Sequence, residues 1–246
     1  MNNFFYNVSV AIPLRQTFTY HSKQKIIPGT RVAVKFGSRS KLGIVTEEIK
    51  ITTIETKAIH QVLDNEPIFS EVELKILAWA SDYYHHPIGE VLGSFLPTNL
   101  RNIKTVMDDK DSVAKVEIEN NPFQKNLTLQ QTEAVKTLSE LRGFAPTLLY
   151  GVTGSGKTEV YIRCIQEQLL QQKSVLLLAP EIALTPQLEQ RVKDQFGPAV
   201  GMYHSKMTPV KRYKAWKQFR AGEIRILIGT RSAAMMSAPK LGLIVI

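Results

Sequence analysis

Gly151-Val152-Thr153-Gly154-Ser155-Gly156-Lys157-Thr158 fits the pattern G-x-x-x-x-G-K-[ST] at every fixed position, and no other stretch restricts the fold as tightly. The pattern works where a strand runs into a Gly-rich turn that opens a helix. Upstream, Thr147-Leu148-Leu149-Tyr150 reads as a short apolar strand; downstream, Glu159 to Gln172 reads as a helix. In that setting successive backbone N–H groups converge on an anion, and the helix N-terminus adds partial positive charge. Gly154 and Gly156 let the backbone approach a phosphate with no side chain in the way. Lys157 is expected to reach the β- and γ-phosphates of ATP and Thr158 to offer its hydroxyl to Mg2+, with Gly151 and Ser155 completing the cradle. The competing reading, a Gly/Ser turn that ends by chance in Lys-Thr, does not account for the flanking elements.

The 246 residues leave room for one large or two ordinary domains. No apolar run approaches the ~20 residues of a membrane span, and the N-terminal residues lack the pattern of a signal peptide. The single cysteine, Cys164, has no internal partner for a disulfide or a structural zinc site and is expected to be a packing residue. These features lead to the expectation of a cytoplasmic protein with no membrane partner. The net charge of +9 is uneven: residues 1–100 hold ten Lys/Arg against nine Asp/Glu, whereas residues 127–246 hold sixteen against eight. A basic P-loop half points to a polyanionic partner beyond the nucleotide.

Phe4 to Val10, Phe18 to Tyr20, Arg31 to Phe36 and Leu42 to Thr46 are short strand candidates separated by turn signals at Pro28-Gly29 and Gly37-Ser38; Ile59 to Leu63 adds another. Together they predict a small barrel or curled sheet. Ser70 is expected to cap a helix with Glu73 at the capping-box position and an apolar stripe of Val72, Ile76, Leu77 and Ala80. Tyr83-Tyr84-His85-His86-Pro87 ends that helix, and its paired histidines are read as packed or hydrogen-bonded rather than as metal ligands. Residues 101–126 are polar and read as a linker, with one strand candidate at Val113 to Ile118.

From Leu127 the pattern is α/β. A helix capped by Thr128 runs to Leu141. After the P-loop unit come a strand at Ser174 to Ala179, a helix at Leu184 to Phe196, and a strand at Ala199 to Tyr203. A helix started by Thr208-Pro209 and stopped by Gly222 follows, then strands at Ile224 to Ile228 and Leu241 to Ile246. Alternation of this kind predicts a parallel sheet with helices on both faces. Tyr203 to Arg220 carries six Lys/Arg and no acid, with Lys211, Lys214 and Lys217 beside an aromatic stripe of Tyr213, Trp216 and Phe219. That face is either an ordinary solvated surface or one that lies along a phosphate backbone.

Gly151 to Tyr161, Ala179-Pro-Glu-Ile-Ala-Leu-Thr-Pro-Gln187, His204-Ser205 and Ile228-Gly-Thr-Arg-Ser-Ala233 resemble consecutive motifs of the PriA family of bacterial replication-restart helicases. Leu63-Asp64 and Tyr83 to Gly89 resemble the 3′-DNA-end-binding domain of that family. The resemblance implies a β-rich end-binding domain over 1–100, a linker over 101–126 with no winged-helix domain, and the first RecA-like helicase lobe over 127–246. It implies that Gln131 reads adenine. It places Pro180, Glu181, Thr185, Pro186 and Gln187, and likewise Thr230, Arg231 and Ser232, on single-stranded DNA. Phe18, Gly37 and Lys57 are implied to line a pocket for the terminal nucleotide. Here Thr19 stands where the family often has an aspartate, and a hydroxyl is a weaker acceptor than a carboxylate.

In the family, ATP-driven 3′-to-5′ unwinding at stalled forks depends on an Asp-Glu-Glu-His motif that follows the last strand. That motif, the second lobe and the zinc-binding cysteines are expected beyond Ile246, so that Zn2+ belongs only to that further part and these residues alone do not turn over ATP. Forked and single-stranded DNA, single-stranded-DNA-binding protein and primosome or helicase-loading proteins are the implied partners. Two other readings remain: a non-enzymatic fork or DNA-end binding module, and a different superfamily-two translocase.

Overall fold

Alternating apolar side chains close the first five strands on themselves. In the computed structural model, which describes residues 3–50, 55–105, 126–180 and 186–246, Phe4–Val10 (β1), Phe18–Ser22 (β2), Arg31–Phe36 (β3), Arg39–Ile49 (β4) and Lys57–Val62 (β5) form a closed barrel in the order β1-β2-β5-β3-β4. Neighbours are antiparallel except β2 and β5, which run parallel with Tyr20 opposite Lys57. The period-2 pattern sends Tyr6, Val8, Val10, Tyr20, Val32 and Val34 inward, where each is buried. The Tyr6 hydroxyl accepts from the Ile26 amide at 2.8 Å, so the one polar tip among these side chains that points at a loop is satisfied.

Ser70 and Glu73 form the expected capping box at the head of Glu71–Tyr83 (α1). The stripe is placed differently. Leu77 and Ala80 are buried, but Val72 is 66% and Ile76 49% exposed. α1 packs on the helix that follows it, Ile88–Phe95 (α2), and one narrow line of side chains is enough for that contact. α2 was not foreseen: it is short, and it carries two glycines behind a proline. Its Gly89 lies against β1 so closely that a Cβ there would sit 1.8 Å from the Val10 carbonyl oxygen.

The chain divides into two compact units, residues 1–112 and 113–246. In the second, Ser174–Leu178 (β6), Val200–Tyr203 (β7), Ile226–Gly229 (β8) and Leu241–Val245 (β9) form a wholly parallel sheet of order β7-β8-β6-β9. Leu129–Glu140 (α3), Lys157–Leu170 (α4), Pro186–Phe196 (α5) and Pro209–Arg220 (α6) are its helices. Ile165 and Leu169 of α4, Val192 and Phe196 of α5, and Val175, Leu177, Ile226 and Ile228 of the strands make one core. The near-continuous apolar run of β6 is what a strand buried on both faces requires.

One expected element is absent. Thr147 to Tyr150 is not a strand, and Leu148 and Tyr150 are 85% and 91% exposed. Four residues hold an extended form only where a neighbour takes up their ladder hydrogen bonds, and among the described residues no strand lies beside them. The strand candidate at Val113 to Ile118 lies outside the described residues.

Candidate nucleotide and nucleic-acid sites

The turn before α4 has the shape its glycines allow. Gly154 and Gly156 adopt φ of +83° and +80°, the left-handed region that L side chains rarely enter, and Gly156 is the N-cap of α4. Val152 to Ser155 are exposed, so the loop is open to a ligand. Lys157 is the first residue of α4, and its Nζ bends back to donate to the Gly151 and Val152 carbonyls at 2.6 and 3.0 Å. Carbonyl oxygens carry only partial charge. A phosphate would compete for this ammonium with a full one, and charge-assisted hydrogen bonds are the stronger kind. Thr158, half-buried on the first turn, stands next to it.

Gln131 joins this loop to α3. It sits at the third position of α3, where its Oε1 accepts from the Thr128 amide at 2.9 Å and completes a capping box. Its Nε2 donates to the Ser155 carbonyl at 3.1 Å. Both ends of the amide are thereby used, and the glutamine is held over the turn. Behind the turn, Glu159 of α4 forms an ion pair with Arg191 of α5. Sequence reasoning missed this pair: Arg191 lies one helix further on, and only an acid just inside the P-loop helix hinted that a cation was needed.

The described residues expected from the sequence to contact nucleic acid in this unit gather at one edge of the sheet. Leu178, Gly229 and Tyr203 are in register, so β6, β8 and β7 all end there. α4 runs into β6 through a three-residue turn and packs on it, which brings its N-terminus to the same edge. Pro180 follows β6 and is exposed; Pro186 and Gln187 are exposed on the first turn of α5. Thr230 follows β8, is buried to 3%, and holds its hydroxyl 3.5 Å from that of Ser232; Arg231 and Ser232 are exposed. Glu181 and Thr185 lie outside the described residues. In open parallel sheets, ligands bind in the crevice at the carboxyl ends of the strands, and the P-loop and these two segments all open there.

In the barrel, the three predicted pocket residues converge on one end. Phe18 begins β2 and lies edge-on to Phe36 with ring centroids 5.0 Å apart. Phe36 ends β3, and Gly37 makes the turn that follows, at φ +59°. Val34 pairs with Ile59, so two residues on Phe36 stands level with Lys57. Phe36 was missed; an aromatic at the strand end before a Gly-Ser turn is the signal that identifies it. Thr19 alternates to the other face of β2, where its hydroxyl donates to Asn7 Oδ1 at 3.3 Å. Its side chain is therefore on the face of β2 opposite to that of Phe18.

His86 Nε2 lies 3.0 Å from Glu90 Oε2, one turn on. Among the described residues no group of His, Cys, Asp and Glu is arranged to hold a metal ion, and no helix is long and apolar enough to cross a membrane.

Residues 7–97 match the family model described as the 3′DNA-binding domain, and residues 128–246 match that of the DEAD/DEAH box helicases. The replication restart protein PriA of Helicobacter pylori strain J99 is 34% identical over 229 residues, covering 93% of this chain and 34% of that protein. That of Haemophilus influenzae is 30% identical over 315 residues, covering 97% of this chain and 43% of its own length. That of Synechocystis is 47% identical over 120 residues, covering 49% of this chain and 14% of its own length. The chain thus spans about a third of the length of the first relatives it matches.

Proposed function

We propose that this chain, a member of the PriA family of replication restart proteins, forms the DNA-end-binding and nucleotide-binding part of an ATP-driven DNA helicase that acts at stalled forks. The observation that carries this reading is the P-loop itself: two left-handed glycines, Lys157 at the head of α4, and Gln131 locked over the turn by two hydrogen bonds. These residues fit Mg·ATP. The backbone amides from Gly154 to Lys157 receive the phosphates, Lys157 exchanges its carbonyl partners for phosphate oxygens, and Thr158 faces the magnesium. Bound ATP supplies the free energy for movement along DNA. The residues here bind it, orient it and couple it to the strand-end edge that carries Thr230 to Ser232.

Two carboxylates are needed to hold the metal and align the water for hydrolysis. The end of the barrel that carries Phe18, Phe36, Gly37 and Lys57 takes the terminal nucleotide by ring stacking and one phosphate contact. Thr19, engaged with Asn7, contributes little to recognition of a free 3′-hydroxyl. Residues 101–126 act as the connection between the two parts. Single-stranded-DNA-binding protein and helicase-loading proteins are the partners this reading implies.

Titration calorimetry with a non-hydrolysable Mg·ATP analogue tests the reading. The 246-residue chain should bind it, and Lys157→Ala should weaken binding at least tenfold. Equal affinity in the two proteins overturns the assignment.

A further inference from the structure

α6 is the most strongly charged element of the chain, and the sites described above make no use of it. Pro209–Arg220 contains Lys211, Arg212, Lys214, Lys217 and Arg220 and no acidic residue, and exposed Lys206 precedes it. Trp216 and Phe219 are buried against the sheet, and Arg220 lies over the Trp216 ring with its guanidinium carbon 5.5 Å from the centroid. Lys211 and Lys214 are exposed and Lys217 is half-buried, so the three form a line along the outer face.

Two other helices place an acid one turn from a lysine, and α6 has no acid of its own. On α1, Lys75 donates to Glu71; on α5, Lys193 donates to Glu189, each one turn away. α6 places like charges three residues apart, which opposes the helix. It also sets Lys211 and Arg212 in its first turn, where the macrodipole disfavours cations, while Lys217 and Arg220 in its last turn suit the dipole. The cations at the head of the helix, Lys211, Arg212 and Lys214, are accounted for when a polyanion neutralises them.

The position agrees. β7 ends at the edge that carries Thr230 to Ser232, His204 to Thr208 cross that edge, and α6 leads away from it. Lys206, Lys211, Lys214 and Lys217 therefore continue outward from the strand-contacting segment.

We propose that the outer face of α6 binds the sugar-phosphate backbone of duplex DNA, next to the single strand held at the sheet edge. This rests on the reading of that edge as a single-strand site. Lys211 and Lys217 stand about 9 Å apart along the helix axis, and phosphates of one strand follow about every 3.4 Å of duplex, so the line spans two to three phosphates. The contacts are to phosphate and carry no sequence preference.

The test is the salt dependence of binding by the whole chain to a blunt duplex, read by fluorescence anisotropy. The triple variant Lys211→Gln, Lys214→Gln, Lys217→Gln should lower the slope of log K against log salt by about 2–3, at roughly 0.9 per lost phosphate contact. Its affinity for a single-stranded oligonucleotide should stay within about twofold, and its circular dichroism and melting should match the wild type. A control that removes the same charge elsewhere, Lys23→Gln, Lys136→Gln, Lys240→Gln, should leave the slope unchanged. An unchanged slope in the triple variant, or an equal fall in the control, overturns the proposal while single-strand binding leaves the underlying reading standing. A wild type that binds neither form of DNA overturns both. Binding of poly-glutamate as tight as that of duplex, lost in the same triple variant, overturns the nucleic-acid assignment in favour of an acidic protein partner.

Discussion

Arg31 is enclosed in the first unit with none of its side chain exposed, yet every nitrogen of its guanidinium has an acceptor. Nε and Nη2 meet the two oxygens of Asp64 at 2.9 and 2.5 Å, Nη1 meets the Leu100 carbonyl at 2.6 Å, and Nη2 also meets the Thr105 carbonyl at 3.0 Å. One side chain thus fastens the segment after α2 to the outside of β3. A buried pair of this kind adds little when compared with an apolar replacement, but loss of one partner strands a charge. Asp64→Ala should therefore cost about 3–5 kcal/mol of the first unit's stability, seen as a lower urea midpoint. Arg31→Leu combined with Asp64→Leu should cost less than either single change. Equal losses in single and double variants would show that the charge is not what matters. Cys164 is a second residue-scale case. Burial pushes its thiol up to about 11, so the folded protein should resist alkylation at pH 8 and react only after denaturant is added. The sign follows. Between the unfolded value near 9 and the folded value, the unfolded chain loses its proton first, so stability from this group is present at neutral pH and falls as pH rises through that window.

At the scale of elements, what could be read in the sequence was what is local. The five barrel strands alternate visibly, the Ser70–Glu73 capping box announces α1, and Thr128 announces α3 as its N-cap, while the second half of its box, Gln131, emerges only in the structure. The glycines and lysine of the P-loop fix a shape through their own backbone. What stayed hidden depends on partners far along the chain. Arg31 finds Asp64 across 33 positions, Glu159 finds Arg191 across a strand, and Thr147 to Tyr150 has strand composition with no neighbour among the described residues to make it one. α2 was illegible for another reason. Gly89 weakens the helix locally but lets it approach β1, and only the contact with the Val10 carbonyl shows why. Gly89→Ala should improve helix propensity and still destabilise the first unit, by about 1–3 kcal/mol of overpacking, read in its thermal midpoint. Gln131 belongs to the same class of contact. Gln131→Ala removes the bond to Ser155 and half of a capping box. A net hydrogen bond is worth about 1 kcal/mol, so nucleotide affinity should fall by roughly fivefold. Gln131→Glu, which keeps an acceptor for the cap but has no donor for the Ser155 carbonyl, should lose as much affinity while it retains the helix.

At the scale of the molecule, the two units have separate hydrophobic cores, one inside the barrel and one across the parallel sheet. Each core is closed by residues of its own unit, so each should unfold as its own cooperative step. Ligands then act selectively, because a ligand stabilises only the folded unit that binds it, by about 2.7 kcal/mol at a hundred times its dissociation constant. Mg·ATP should raise the transition of the unit that holds the P-loop and leave the barrel's transition where it was. A short oligonucleotide held by its 3′ end should do the reverse. Asp64→Ala marks which transition belongs to the barrel, since it lowers that one alone. The measurement is a calorimetric scan of the whole chain with each ligand in turn. If both transitions move together with either ligand, the two cores are one cooperative system, and the assignment of nucleotide to one unit and DNA end to the other loses its thermodynamic basis.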